Sequence, residues 1–123
     1  MFRLMVESGF AAAHQLKEYE GKCEGLHGHN WRVQVMVKTG RLNSIGLGID
    51  FKILKDMLKE ILSQLDHTFL NDLSPFNSRN PSSENLAYFI FEEFLKRIDK
   101  EIIQMDWVRV WESNNAFAQY SNE

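Results

Sequence analysis

The chain has a single cysteine, Cys23, so it cannot close an intrachain disulfide, and a reducing cytoplasm is the expected setting. It has no surplus of positive charge, since 14 Lys and Arg stand against 17 Asp and Glu, for a net charge of −3. That balance excludes a general nucleic-acid binder, although a small anionic substrate held by a few local cations is still allowed. No apolar run is long enough to cross a bilayer, and the opening stretch MFRLMVESG lacks the apolar segment of a secretory signal, so no membrane partner is expected. There is no internal repeat, low-complexity tract or linker, and 123 residues suffice for one domain, 1–123, but not for two of ordinary size. The composition, 44% hydrophobic and 25% charged, is that of a globular protein rather than a disordered one.

Phe2, Leu4 and Val6 alternate with Arg3, Met5 and Glu7, which predicts a half-buried strand. The stretch GFAAAHQL is expected to continue it with an irregularity, because Gly9 and three alanines suit a bend or close packing. Residues 19–26 read as loop. A longer alternation follows, with His27, His29, Trp31, Val33, Val35 and Val37 on one face and Gly28, Asn30, Arg32, Gln34, Met36 and Lys38 on the other. Gly40, Asn43 and Ser44 mark a turn, and Ile45 to Ile49 predict a short returning strand.

Asp50 is placed to cap a helix whose apolar face carries Phe51, Leu54, Leu58, Ile61, Leu62 and Leu65. That helix ends near LDHTFLN. After the turn-rich DLSPFNSRNPSS, Ser82 or Ser83 caps a second helix, with Glu84 in its first turn and Leu86, Ile90, Phe94 and Ile98 facing inward. WVRVWES and NAFAQY predict a closing hairpin around Ser113 to Asn115. The expected architecture is α+β in ββααββ order, an antiparallel four-stranded sheet with two helices on one face. So few strands leave exposed edges, which pairing between subunits would cover.

Several residues in this frame can carry chemistry. His27 and His29, two apart on one strand face, put both imidazoles on the same side, a workable bite for one metal ion; polar residues at a strand end would look the same. His14, at the end of the first strand region, is a third candidate, and three histidines with one open position describe a catalytic zinc site. Cys23, four residues before His27, reads as a fourth ligand, as an activated thiolate, or as a small buried side chain. Asp66 directly precedes His67, and a carboxylate can fix an imidazole tautomer for acid–base work, but neighbours in sequence rarely bond side chain to side chain unless the backbone turns sharply. Glu112 shares a strand face with Val108 and Val110. It is either a strand end turning to solvent or a carboxylate at the bottom of a pocket, able to grip paired N–H groups of a heterocycle.

The landmarks FAAAHQL, CEGLHGHNW, the IDF before the first helix, LDHTFLN, NPSSENLA and the Glu of VWES, in that order, resemble the 6-pyruvoyl-tetrahydropterin and 6-carboxy-5,6,7,8-tetrahydropterin synthase family over nearly the whole chain. The resemblance implies the tunnelling fold, in which subunit sheets join edge to edge into an oligomeric barrel. It also implies a homohexamer with active sites at subunit interfaces. It makes His14, His27 and His29 the ligands of Zn2+, Cys23 the catalytic base, and Asp66 with His67 an acid–base relay. Glu112 becomes the anchor of the pterin ring, with Ser82, Ser83 and Glu84 near the same pocket. The implied substrate is 7,8-dihydroneopterin triphosphate, with Lys22, Arg32 and Arg79 as candidates for its phosphates.

Three residues, Glu24, Gly25 and Leu26, separate Cys23 from His27. That spacing is similar to the 6-carboxy branch of the family, which serves queuosine (7-deazaguanine) synthesis and releases acetaldehyde and triphosphate. The pyruvoyl branch typically has five residues there. A non-catalytic zinc or pterin-binding module, with Cys23 as a fourth ligand, is the reading from outside enzymology.

Overall fold

In the computed structural model, which describes residues 1–19, 21 and 25–123, the two long alternating segments form the longest strands. β1 (Phe2–His14) and β2 (His27–Thr39) are antiparallel and in register from Phe2 opposite Thr39 to His14 opposite His27. Alternation puts Val6, Phe10 and Ala12 on the same buried face as Trp31, Val33, Val35 and Val37. α1 (Phe51–Ser63) follows, then β3 (Thr68–Phe69), a single 3-10 turn, α2 (Ser83–Leu95), β4 (Gln104–Ser113) and β5 (Ala116–Ser121).

The sheet has five strands, not four, in the order β3-β1-β2-β4-β5, and it is mixed, because β3 runs parallel to β1 through Ala12 and Ala13. A two-residue strand is too short to show any period, and so LDHTFLN read only as a helix end. The predicted strand at Ile45 to Ile49 is absent. The Asn43 side chain accepts from the N–H groups of Ile45 and Leu47, both at 3.0 Å, so donors that a ladder would use are spent on a local turn. Residues 9–16 hold no irregularity up to His14, since Gly9 stays in register opposite Arg32.

Gly9 instead serves a close approach: a Cβ there would meet the Trp31 carbonyl oxygen at 2.8 Å. Gly9→Ala is therefore expected to force β1 and β2 apart at this point and cost about 1–3 kcal/mol, the usual range for overpacking, read as a lower urea midpoint.

Asp50 caps α1, its Oδ1 accepting from the Lys52 N–H at 2.9 Å. Leu54, Leu58, Ile61, Leu62 and Leu65 are buried as expected, whereas Phe51, at the first helical position, is half exposed. Ser82 caps α2 by accepting from the Asn85 N–H at 3.1 Å. Both helices pack on the apolar face of the sheet, α1 over β1 and α2 over β4 and β5. The two edges are β3 and β5.

Candidate metal and pterin site

The β1–β2 register sets His14 directly opposite His27 and places His29 opposite Ala12, all at the end of the helix-covered face. The His14, His27 and His29 side chains converge there with Glu112, one ligand atom of each lying within 4.8 Å of the others; among the described residues this is the one such group. Trp31 forms its floor, packing edge-on against the His14 and His29 rings at 4.8 and 5.2 Å between centroids.

Main-chain carbonyls settle two of the tautomers. His14 Nδ1 lies 2.8 Å from the Pro81 carbonyl and His27 Nδ1 lies 2.9 Å from that of Gly25. A carbonyl can only accept, so each Nδ1 carries a proton, and in the neutral imidazole each Nε2 then does not. Those two unprotonated Nε2 atoms face each other at 2.9 Å. No hydrogen joins them in this state, so the arrangement calls for a cation between them. Imidazole nitrogens oriented by carbonyls through their other N–H are the usual ligands of zinc, and the donor set fits that ion.

Glu112 sits at a bulge: Trp111 pairs with Phe117 and Ser113 with Ala116, so Glu112 is an extra residue on β4 with no partner in the β5 ladder. Its Oε1 lies 3.0 Å from His29 Nε2 and 3.8–3.9 Å from the other two Nε2 atoms, while its Oε2 accepts from the Ser83 hydroxyl at 3.3 Å. Glu112, His29, Ser83 and Glu84 line a cleft of about 400 Å³ that Phe117 and Ala118 close on the other side. Ser82 is occupied with the helix cap.

Asp66 and His67 do meet side chain to side chain, because the backbone turns sharply: His67 has φ +57°, and its Nδ1 lies 3.0 Å from Asp66 Oδ2. The pair is docked on β1, with Asp66 Oδ1 accepting from the Ala11 N–H at 2.9 Å and the His67 N–H donating to the Ala11 carbonyl at 2.6 Å. The Ala11 N–H first, and His67 after it, hold the Asp66 carboxyl below its ordinary pKa, so it is ionised at neutral pH.

The Asp66–His67 pair is not part of the group that His14, His27, His29 and Glu112 form. His67 is 84% exposed and borders a cleft lined by Ala11, Ala12, Ala13, Gly28, Asn30 and Thr68 and also by His29. Cys23 and Lys22 lie outside the described residues. Of the other cations considered for phosphate, Arg32 stacks over the Trp111 ring at 4.3 Å on the uncovered sheet face, and Arg79 sits 6.0 Å from the Tyr88 ring. The carbonyls of Pro81 and Gly25 escape a side-chain reading altogether. Trp31 was legible as an apolar neighbour of the histidines but not as their floor.

Fold and site together define an α+β enzyme-like domain with a histidine-rich cluster that could hold a metal ion at one end of its sheet. The 6-pyruvoyl tetrahydropterin synthase family model matches residues 3–123, and the chain belongs to that family. It is 42% identical over 96 residues to the 6-carboxy-5,6,7,8-tetrahydropterin synthase of Synechocystis sp., covering 74% of this chain and 73% of that one. With the protein of the same name from Haemophilus influenzae it shares 33% identity over 98% of this chain and 99% of that one. The solved 6-pyruvoyl tetrahydropterin synthase of Caenorhabditis elegans has the same fold, with a TM-score of 0.85 over 99% of this chain and 96% of that one at 21% identity.

Proposed function

We propose that the chain is a zinc-dependent lyase that converts 7,8-dihydroneopterin triphosphate to 6-carboxy-5,6,7,8-tetrahydropterin, with release of acetaldehyde and triphosphate, in cytoplasmic queuosine (7-deazaguanine) synthesis. The observation that carries this reading is the pair of carbonyl-fixed imidazoles whose unprotonated Nε2 atoms meet 2.9 Å apart, beside His29 and at the mouth of a cleft that ends in a carboxylate. The names of the Synechocystis and Haemophilus relatives and the three-residue gap between Cys23 and His27 support the product.

On this reading His14, His27 and His29 hold the zinc, which when bound supplies Lewis acidity toward the hydroxyl oxygens of the substrate side chain. Glu112 orients the pterin: a carboxylate accepts two N–H groups of a planar heterocycle at once, and the Ser83 hydroxyl fixes its rotation. Cys23, as thiolate, takes a proton from the substrate side chain. His67, held by ionised Asp66 with a proton on Nδ1, takes up a proton at Nε2 and, as the imidazolium that Asp66 stabilises, returns it on the other side.

His67 lies outside the group that the three histidines form with Glu112, and on this reading the relay serves the metal site of a neighbouring copy. This favours a homohexamer with sites at the interfaces, joined through the β3 and β5 edges.

The test is mass spectrometry of the products from zinc-loaded protein and 7,8-dihydroneopterin triphosphate. The expected result is the 6-carboxy pterin with acetaldehyde; a 6-pyruvoyl product moves the chain to the sister branch. Cys23→Ala is expected to keep zinc and fold while lowering kcat at least about 100-fold. Loss of zinc in that variant would make Cys23 a ligand and the domain a binding module.

A further inference from the structure

β1 runs out of neighbours at the histidine cluster. Ala13 is its last residue with a partner in β3, and His14 its last with a partner in β2. The main-chain groups just beyond are still held as a ladder would hold them, by the side chain of Asn71. Asn71 Oδ1 accepts from the Gln15 N–H at 2.9 Å, and its Nδ2 donates to the Gln15 carbonyl at 2.7 Å. A primary amide presents a donor and an acceptor in one plane, as a peptide does, so Asn71 stands in for one more residue of β3.

The Gln15 N–H belongs to the peptide that joins His14 to Gln15, so the bond from Asn71 bears on His14 directly. A side chain leaves the backbone in a direction set by the two peptides that flank its Cα. The peptide before His14 lies within the ladders that pair Ala13 with Gly28 and Phe69, and the one after it is held by Asn71. The Pro81 carbonyl then fixes the rotation of the ring.

Asn71 is itself well placed for this. It sits in the 3-10 turn Leu70–Asp72, which follows β3 directly, and β3 is anchored on Ala11 through Asp66 and His67. Two paired residues make a short ladder, and Asn71 closes its far end on the residue next to His14. Its side chain is only 7% exposed, so water has little access to the groups it satisfies.

We infer that Asn71 is a positioning residue of the metal site: by holding the peptide after His14, it keeps His14 Nε2 in reach of an ion shared with His27 and His29. This deepens the proposed function and rests on His14 being a zinc ligand. Removing a group that orients a metal ligand without touching the metal costs about ten- to 100-fold in affinity. A purely fold-stabilising role has a different signature. It lowers Tm and leaves the zinc affinity of the folded protein unchanged.

The experiment compares the parent chain with Asn71→Ala, both stripped of metal and shown to be folded by circular dichroism. It measures the apo Tm, the zinc Kd by competition with a chelator well below either Tm, and the visible absorption of Co2+ bound in place of zinc. The expected result is a lower apo Tm, a zinc Kd raised by about ten- to 100-fold, and an altered Co2+ spectrum as the His14 imidazole withdraws. A parent-like Kd with a parent-like Co2+ spectrum overturns the inference, however far Tm falls. If Asn71→Ala does not fold, Asn71→Ser is read by the same two metal measurements, since its small hydroxyl leaves room for a water to take up the Gln15 groups. If the parent chain binds no zinc, the proposed function falls and this inference with it. If the parent binds zinc and the variant binds it equally well, the inference alone is lost.

Discussion

His27→Ala is expected to weaken zinc binding by at least about 100-fold, the upper end of the loss when only a supporting partner of a metal-binding imidazole is removed. The apo fold should be unharmed. The His27 side chain is 34% exposed, so its removal opens no buried cavity. It also relieves the contact in which two unprotonated Nε2 atoms face each other at 2.9 Å with no cation between them. The two effects separate in a thermal melt. At a zinc concentration near 100 times Kd, the ion stabilises the parent by about 2.7 kcal/mol, or about 10 °C in Tm for a domain of this size. With Kd raised 100-fold, the same zinc gives about 0.4 kcal/mol and a shift of about 2 °C. An undiminished zinc shift in the variant would remove His27 from the metal site. His14→Ala is a poorer test, because His14 is buried and its loss strands the Pro81 carbonyl, at about 1–3 kcal/mol even without metal.

The parts of the fold that were legible in the sequence are those with enough residues to show a period. Trp31, Val33, Val35 and Val37 alternate over a long strand, and Leu54, Leu58, Ile61 and Leu62 recur at helical steps; all are buried. β3 was not legible, because Thr68 and Phe69 pair only by virtue of Asp66 and His67 docking on Ala11. The stretch from Ile45 to Ile49 misled for the opposite reason: its apolar spacing is strand-like, but the Asn43 side chain claims the N–H groups.

The site divides along the same line. His27 and His29 follow from alternation alone, and His14 follows once β1 is paired beside them. Glu112 was legible as an acid on an apolar face, yet the bulge at which it sits depends on the pairing with β5 and leaves no mark in β4 itself. Carbonyls such as those of Pro81 and Gly25 belong to every residue, so no residue type announces them.

Asp66→Asn is expected to lower kcat by about 10³–10⁴-fold with zinc content unchanged, the scale seen when the carboxylate behind a catalytic imidazole becomes an amide. The argument is one of donors and acceptors. In the native pair, Asp66 Oδ1 accepts from the Ala11 N–H and Oδ2 accepts from His67 Nδ1–H, which leaves His67 Nε2 unprotonated and outward. In the variant the amide oxygen keeps the Ala11 bond, so the docking on β1 survives. The new NH2 group then faces His67 Nδ1 and can only donate. The imidazole proton must move to Nε2, the tautomer that cannot accept a proton where one has to be transferred, and an amide no longer stabilises the imidazolium. Since tautomer and relay are one unit, the double variant Asp66→Asn/His67→Ala should be no slower than His67→Ala alone. Multiplicative losses in the double variant, measured as kcat on the same zinc-loaded preparations, would show that Asp66 and His67 act separately, and the relay would have to be abandoned.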